Sequence, residues 1–168
     1  MRKLTIDELR QLVPEYNNDL AKERASGIFN YIIMMVALAR DHHMQHQDLV
    51  NWIHRHFEER GYYEETLLKF GSGNTKLFLQ DFVIGRSLLY ENIEVFIHEN
   101  GNYEVQSTSW WLNQPTDACF YFDMEPEEIV KYVQSLACSK ADRLGITLKI
   151  SHNNGIEQAL ICKKDTII

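Results

Sequence analysis

Near residue 90 the spacing of apolar residues changes from that of a helix to that of a strand, and no other feature of the chain constrains its fold as tightly. Before the change, Ala21, Ala25, Ile28, Phe29, Ile32, Ile33, Val36 and Ala37 recur at the intervals of one face of a long helix. Tyr31, Met34, Met35 and Leu38 add apolar groups on its other faces, so this helix is expected at the centre of the domain, surrounded by other elements. After the change, Ile93, Val95 and Ile97 alternate with Glu94, Phe96 and His98. Asn100-Gly101, a pair favoured in type I′ turns, then precedes Tyr103, Val105 and Ser107. The two patterns in succession predict an α+β fold. A helical half over residues 1–72 packs on a C-terminal antiparallel sheet with one intervening helix, within one domain of 168 residues.

Local signals place the remaining elements. Thr5 and Glu8 form a capping box that opens a short helix ending near Pro14. Leu49, Val50, Ile53 and Phe57 mark an amphipathic helix from about Gln47 to Arg60, closed at Gly61. A third short helix follows over Tyr62 to Phe70, and Gly71-Ser72-Gly73-Asn74 reads as a hinge between the halves. Leu77 to Tyr90 reads as helix because Phe78, Phe82, Gly85 and Leu89 align at helical spacing. Ala118 to Phe122 reads as a buried strand. Pro126 opens a helix with Ile129, Val133, Leu136, Ala137 and Leu144 on its inner face, and Gly145 ends it. A second hairpin turns at His152-Asn153-Asn154-Gly155.

Composition excludes several function classes. With 24 acidic and 17 basic side chains the net charge is -7, and the basic residues do not cluster, which argues against nucleic acid and anionic membrane surfaces as partners. Cys119, Cys138 and Cys162 form no CxxC pair and no disulfide framework, the pattern of a reducing compartment. Acidic residues at Asp7 and Glu8 stand where an export signal needs its apolar stretch, so a cytoplasmic location is expected. The uncharged run from Gly27 to Ala39 has 13 residues, too few to cross a bilayer. GxSxG, P-loop and GxGxxG motifs are absent, and no cofactor is expected.

Three groups of residues hold chemical potential. His42 and His46 have the i, i+4 spacing of a metal-binding helix face, but they fall where the chain turns between helices, so no metal site is assigned. Trp110 and Trp111, with Tyr103 and Tyr121, concentrate aromatic area in the predicted sheet, serving either as core or as the wall of a small-molecule pocket. Cys138 and Asp142 share a helix face, where a thiol acts as a nucleophile if its pKa is lowered and otherwise packs as a small apolar group.

The order of these elements, with Glu59-Arg60-Gly61 ending a helix, Cys138 on a later one and a last hairpin around Asn153-Asn154-Gly155, resembles the small bacterial L-2-amino-thiazoline-4-carboxylic acid hydrolase-like family. That group is similar in layout to the 4-vinyl reductase ligand-binding domain. The resemblance covers residues 20–163 and implies a hydrolase of an amino-acid-derived heterocycle or amide-like C–N bond. Cys138 would be its nucleophile, Asp142 and His98 would assist, and Trp111, Tyr121, Tyr103 and Trp110 would line the substrate pocket. Two cysteines of the family pattern are replaced here, one by Ala159 and one by the Trp110-Trp111-Leu112 segment. Those replacements motivate the alternative, a non-catalytic module that binds a small molecule or a protein through an aromatic-lined pocket. The abundance of aromatic residues also makes a homodimer an expectation.

Overall fold

A computed structural model of the chain describes residues 1–14, 18–109 and 117–164, with the backbone alone for 18–26 and Asp117. The elements are β1 (Arg2–Lys3), α1 (Ile6–Leu12), α2 (Asn18–Asp41), α3 (His46–Glu59), α4 (Tyr62–Phe70), α5 (Thr75–Ser87), β2 (Tyr90–Ile97), β3 (Tyr103–Ser109), α6 (Asp117–Tyr121), α7 (Pro126–Arg143), β4 (Ile146–Asn153) and β5 (Ile156–Lys163). The sheet is antiparallel throughout, in the order β1-β2-β3-β5-β4. This is the expected α+β architecture, with N-terminal helices and a central antiparallel sheet.

Local chemistry shapes the ends of these elements. The Glu8 amide donates to Thr5 Oγ1 and the Thr5 amide to Glu8 Oε2, the reciprocal pair of a capping box. The first hairpin is not the type I′ turn that Asn-Gly suggests. The Gly101 amide donates to His98 O at 2.9 Å, and only Gly101 in that turn has positive φ, so a type I turn is followed by one left-handed residue. The second hairpin takes the two-residue form, with Asn154 and Gly155 both at positive φ and Asn153 paired with Ile156. The Gly71 to Asn74 segment, read as a hinge, is tied down where the Gly73 amide donates to Leu144 O at 2.9 Å.

Two further readings are corrected. Ala118 to Phe122 is not a buried strand, because Asp117–Tyr121 forms the short helix α6; Cys119 is buried while Phe120 and Tyr121 are exposed. Five apolar residues are too few for periodicity to separate helix from strand. α2 is also not surrounded on every face, since its Tyr31, Met34 and Leu38 are exposed. The layer on the sheet is α5 and α7, and α2 packs against α3, α5, α6 and α7. Accordingly there are two apolar clusters. One lies between sheet and helices around Leu79, Val83, Val95, Val105 and Ile161, and the other lies among helices around Phe29, Ile33, Val50, Ile129 and Tyr132. Among the described residues no helix is long and apolar enough to cross a membrane.

Candidate functional site

Polar side chains converge in the apolar interior where α5, α7 and the β2, β3 and β5 strands meet. Glu157 begins the run of β5 residues that face the core, sharing its side of the strand with Ala159 and Ile161, and is 1 % exposed. Arg86 reaches it from α5, one helical turn after Phe82, and is 4 % exposed. Arg86 Nε lies 2.8 Å from Glu157 Oε1, close enough for an ion pair but without the alignment of a hydrogen bond. Glu157 Oε2 accepts from Tyr90 Oη at 3.0 Å and from Gln134 Nε2 at 3.2 Å.

Tyr90 faces inward because of an extra residue in β2. From Glu94 to Glu91 the strand advances three residues while β3 advances two, from Gln106 to Thr108, and Asn92 takes φ of 54°. This bulge reverses the alternation, so Tyr90 is buried where a regular strand would bury Glu91. Burial, with the neighbouring Glu157 carboxylate, pushes the Tyr90 phenol above its ordinary range and keeps it a hydrogen-bond donor. The small side chains of Ser107, paired with Glu157, and Ser109, paired with Tyr90, leave room for the larger groups.

The Arg86 guanidinium lies over the Phe82 and Tyr90 rings at 4.5 and 4.9 Å. Its Nη2 is buried and has no hydrogen-bond partner, and the same holds for Ser109 Oγ. Buried polar atoms left in this state are rare and costly.

Arg86 also belongs to the wall of a cavity of about 310 Å³ between three helices. Ile28 and Ile32 of α2 form one side, Phe78, Phe82 and Gly85 of α5 the second, and Tyr132, Val133 and Leu136 of α7 the third. At the rim, Lys140 Nζ donates to Asp81 at 2.7 Å. Burial lowers the Lys140 pKa, but its bond to Asp81 outweighs that and the net shift is upward, so it stays charged. Burial pushes the Tyr132 phenol up to about 12. Gly85 is exposed at the mouth of this half-open cleft, and a Cβ added there would meet nothing within 4 Å.

The residues singled out from the sequence are distributed elsewhere. Cys138 lies in a groove with His46, Lys131, Gln134 and Ser139, donates its thiol to Leu148 O at 3.8 Å, and has its pKa pushed up by burial. Asp142 pairs with Lys164, and His98 Nε2 is 3.0 Å from Glu104 Oε2 in a separate hollow with Lys149 and Ser151. Tyr103 is half-buried against the sheet-side core and Tyr121 is exposed on α6. Trp110 and Trp111 lie outside the described residues. Among the described residues, Cys138, Asp142, His98, Tyr103 and Tyr121 do not line the cavity beside Arg86. Among the described residues, no three His, Cys, Asp or Glu side chains gather as metal ligands; His42 follows the end of α2 and His46 begins α3.

Sequence reasoning missed Arg86 and Glu157. Each carried a signal: a charge at helical spacing after Phe82, and a carboxylate in step with Ala159 and Ile161.

One curated relative, described as "Uncharacterized protein YxnB" of Bacillus subtilis (strain 168), is 39% identical to the chain over 151 residues, 90% of this chain and 94% of that protein. No protein-family model matches the chain, and no solved structure matches it.

Proposed function

The chain belongs to the family of Bacillus subtilis YxnB, and from that premise we propose that it is a non-catalytic small-molecule-binding module holding a compact apolar ligand between α2, α5 and α7. The single observation that carries this reading is the cavity beside Gly85. Glycine within a helix costs roughly 0.5–1 kcal/mol relative to alanine, and at this position a Cβ would meet nothing within 4 Å. The cleft, with Gly85 exposed at its mouth, has mostly apolar walls and a volume of about 310 Å³, at the lower end of ordinary ligand pockets.

The hydrolase reading implied by the layout resemblance rests on Cys138. A nucleophilic thiol needs its pKa lowered, whereas burial pushes this one up and Leu148 O takes its proton as a hydrogen bond. Binding without turnover is therefore the better supported of the two.

The experiment is thermal denaturation of the full chain with compact alcohols, ketones and aromatic compounds, in wild type and Gly85→Leu. A ligand at one hundred times its Kd adds about 2.7 kcal/mol of stability. Wild type is expected to gain melting temperature with at least one compound class. Gly85→Leu, its side chain occupying the cavity, is expected to melt no lower than wild type and to lose the response. An equal response in both proteins places binding elsewhere and rejects the proposal.

A further inference from the structure

We infer that the free edge of β4, with the groove beside it, is a docking surface for an extended segment of a partner protein that carries acidic side chains. This surface shares no lining residue with the cavity beside Arg86 and does not depend on the reading given to it.

The edge comes from the register. β4 ends the sheet and, among the described residues, pairs with β5 alone. Asn153 and Ile156 flank the two-residue turn, and at the far end of the hairpin the Lys164 amide donates to Gly145 O at 3.0 Å. Bonded and non-bonded pairs alternate along an antiparallel ladder. Thr147, Lys149 and Ser151, in phase with Gly145, therefore turn their backbone groups to β5, while Leu148, Ile150 and His152 turn theirs outward. Among the described residues, the one bond made to these outward groups comes from the Cys138 thiol, 3.8 Å from Leu148 O. A row of unpaired amides and carbonyls is a template for one more strand.

Space for that strand lies alongside. A groove of about 430 Å³ is bordered by Ile150 of β4, Gln134 and Cys138 of α7 and Gln47 of α3. A strand added about 4.8 Å from β4 turns alternate side chains to opposite faces of the sheet. Those on the helix side would enter the groove. Main-chain bonds then supply affinity and the groove reads every second side chain.

Charge selects the occupant. The chain carries a net charge of -7, yet no carboxylate lines this groove, whereas Lys131 and His46 do. β4 itself holds Lys149 and His152 and no acidic residue. A second copy pairing through β4 would set these basic groups against their own kind, which is how charged residues guard an edge against self-association. An acidic strand meets complementary charge on both the edge and the groove wall.

The test titrates two acetylated hexapeptides into the full chain, one alternating valine with glutamate and the other valine with lysine. Calorimetry gives the affinities, and NMR follows amide hydrogen exchange. Wild type is expected to bind the glutamate peptide about tenfold more tightly than the lysine peptide. The bound peptide is expected to slow exchange at the Leu148 and Ile150 amides. Lys131 is exposed, so Lys131→Glu leaves the core untouched, and it is expected to abolish the preference for glutamate. The inference is overturned if neither peptide binds wild type, if the lysine peptide binds as tightly, if the preference survives in Lys131→Glu, or if exchange at Leu148 and Ile150 is unchanged. Slow exchange of those two amides without peptide, more pronounced at higher protein concentration, assigns the edge to a second copy and equally rejects the inference. The wild-type comparison decides the matter even if the variant fails to fold.

Discussion

Arg86 of α5 and Glu157 of β5 form an ion pair in the interior, with Nε and Oε1 2.8 Å apart and both side chains almost wholly removed from solvent. Removing one member of such a pair strands the other charge, which typically costs 3–5 kcal/mol, while replacing both by apolar groups is often close to neutral. Glu157→Ala is therefore expected to destabilise the fold by about 3–5 kcal/mol and Arg86→Met/Glu157→Leu by much less. Urea denaturation of the two variants measures this. Equal losses would mean that the charges are not coupled.

Gly85 offers a change in the opposite direction. Gly85→Ala removes the entropic cost of a helical glycine, and its new methyl group meets nothing within 4 Å. Stabilisation of about 0.5–1 kcal/mol is expected, read as a rise in the urea midpoint at unchanged slope. A loss of stability would mean that the cavity wall closes in solution.

His54 predicts a pH dependence. Its Nε2 lies 3.1 Å from Leu136 O, which can only accept, so that nitrogen carries the proton and Nδ1 is left to accept from the Tyr63 hydroxyl. Burial holds the imidazole below its ordinary value, the Leu136 carbonyl opposes this, and Arg143 and Lys140 add to the lowering against Glu58. In the unfolded chain histidine titrates near 6.5. As pH falls below about 6.5 the unfolded state takes up a proton that the native state does not, so stability declines towards the lower native pKa. His54→Gln is expected to flatten that part of the stability curve, as measured by denaturation between about pH 5 and 8. An unchanged slope would assign the decline to other groups.

Cys138 is expected to alkylate slowly at neutral pH and faster as the solution becomes alkaline, because burial raises its pKa. Cys138→Ala is expected to retain both fold and ligand response. Peptide mass spectrometry of iodoacetamide-treated protein over a pH series gives the rate, and a plateau already reached near neutrality would restore the thiol as a nucleophile.

Much of this fold is written locally. Thr5 and Glu8 meet within one helical turn, the α2 face recurs over many residues, and Asn154-Gly155 suits a two-residue turn without help from distant groups. Other features depend on partners remote in the chain. The bulge at Asn92 exists only relative to β3, and through it Tyr90 rather than Glu91 enters the core. Asp117–Tyr121 is too short for its spacing to announce a helix. Cys138, Asp142 and His98 looked like a unit because reactive side chains draw attention, but folding gives them separate partners in Leu148, Lys164 and Glu104.

Periodicity was enough to read the helical front, the antiparallel back and most element boundaries, because it reports which side of an element avoids water. It is silent on which buried surfaces meet and how completely they fill the space between them. The pairing of Arg86 with Glu157, the inward turn of Tyr90 and the opening beside Gly85 arise where three helices and the sheet converge. Each depends on distances between segments far apart along the chain, and those distances exist only once the packed layers have formed.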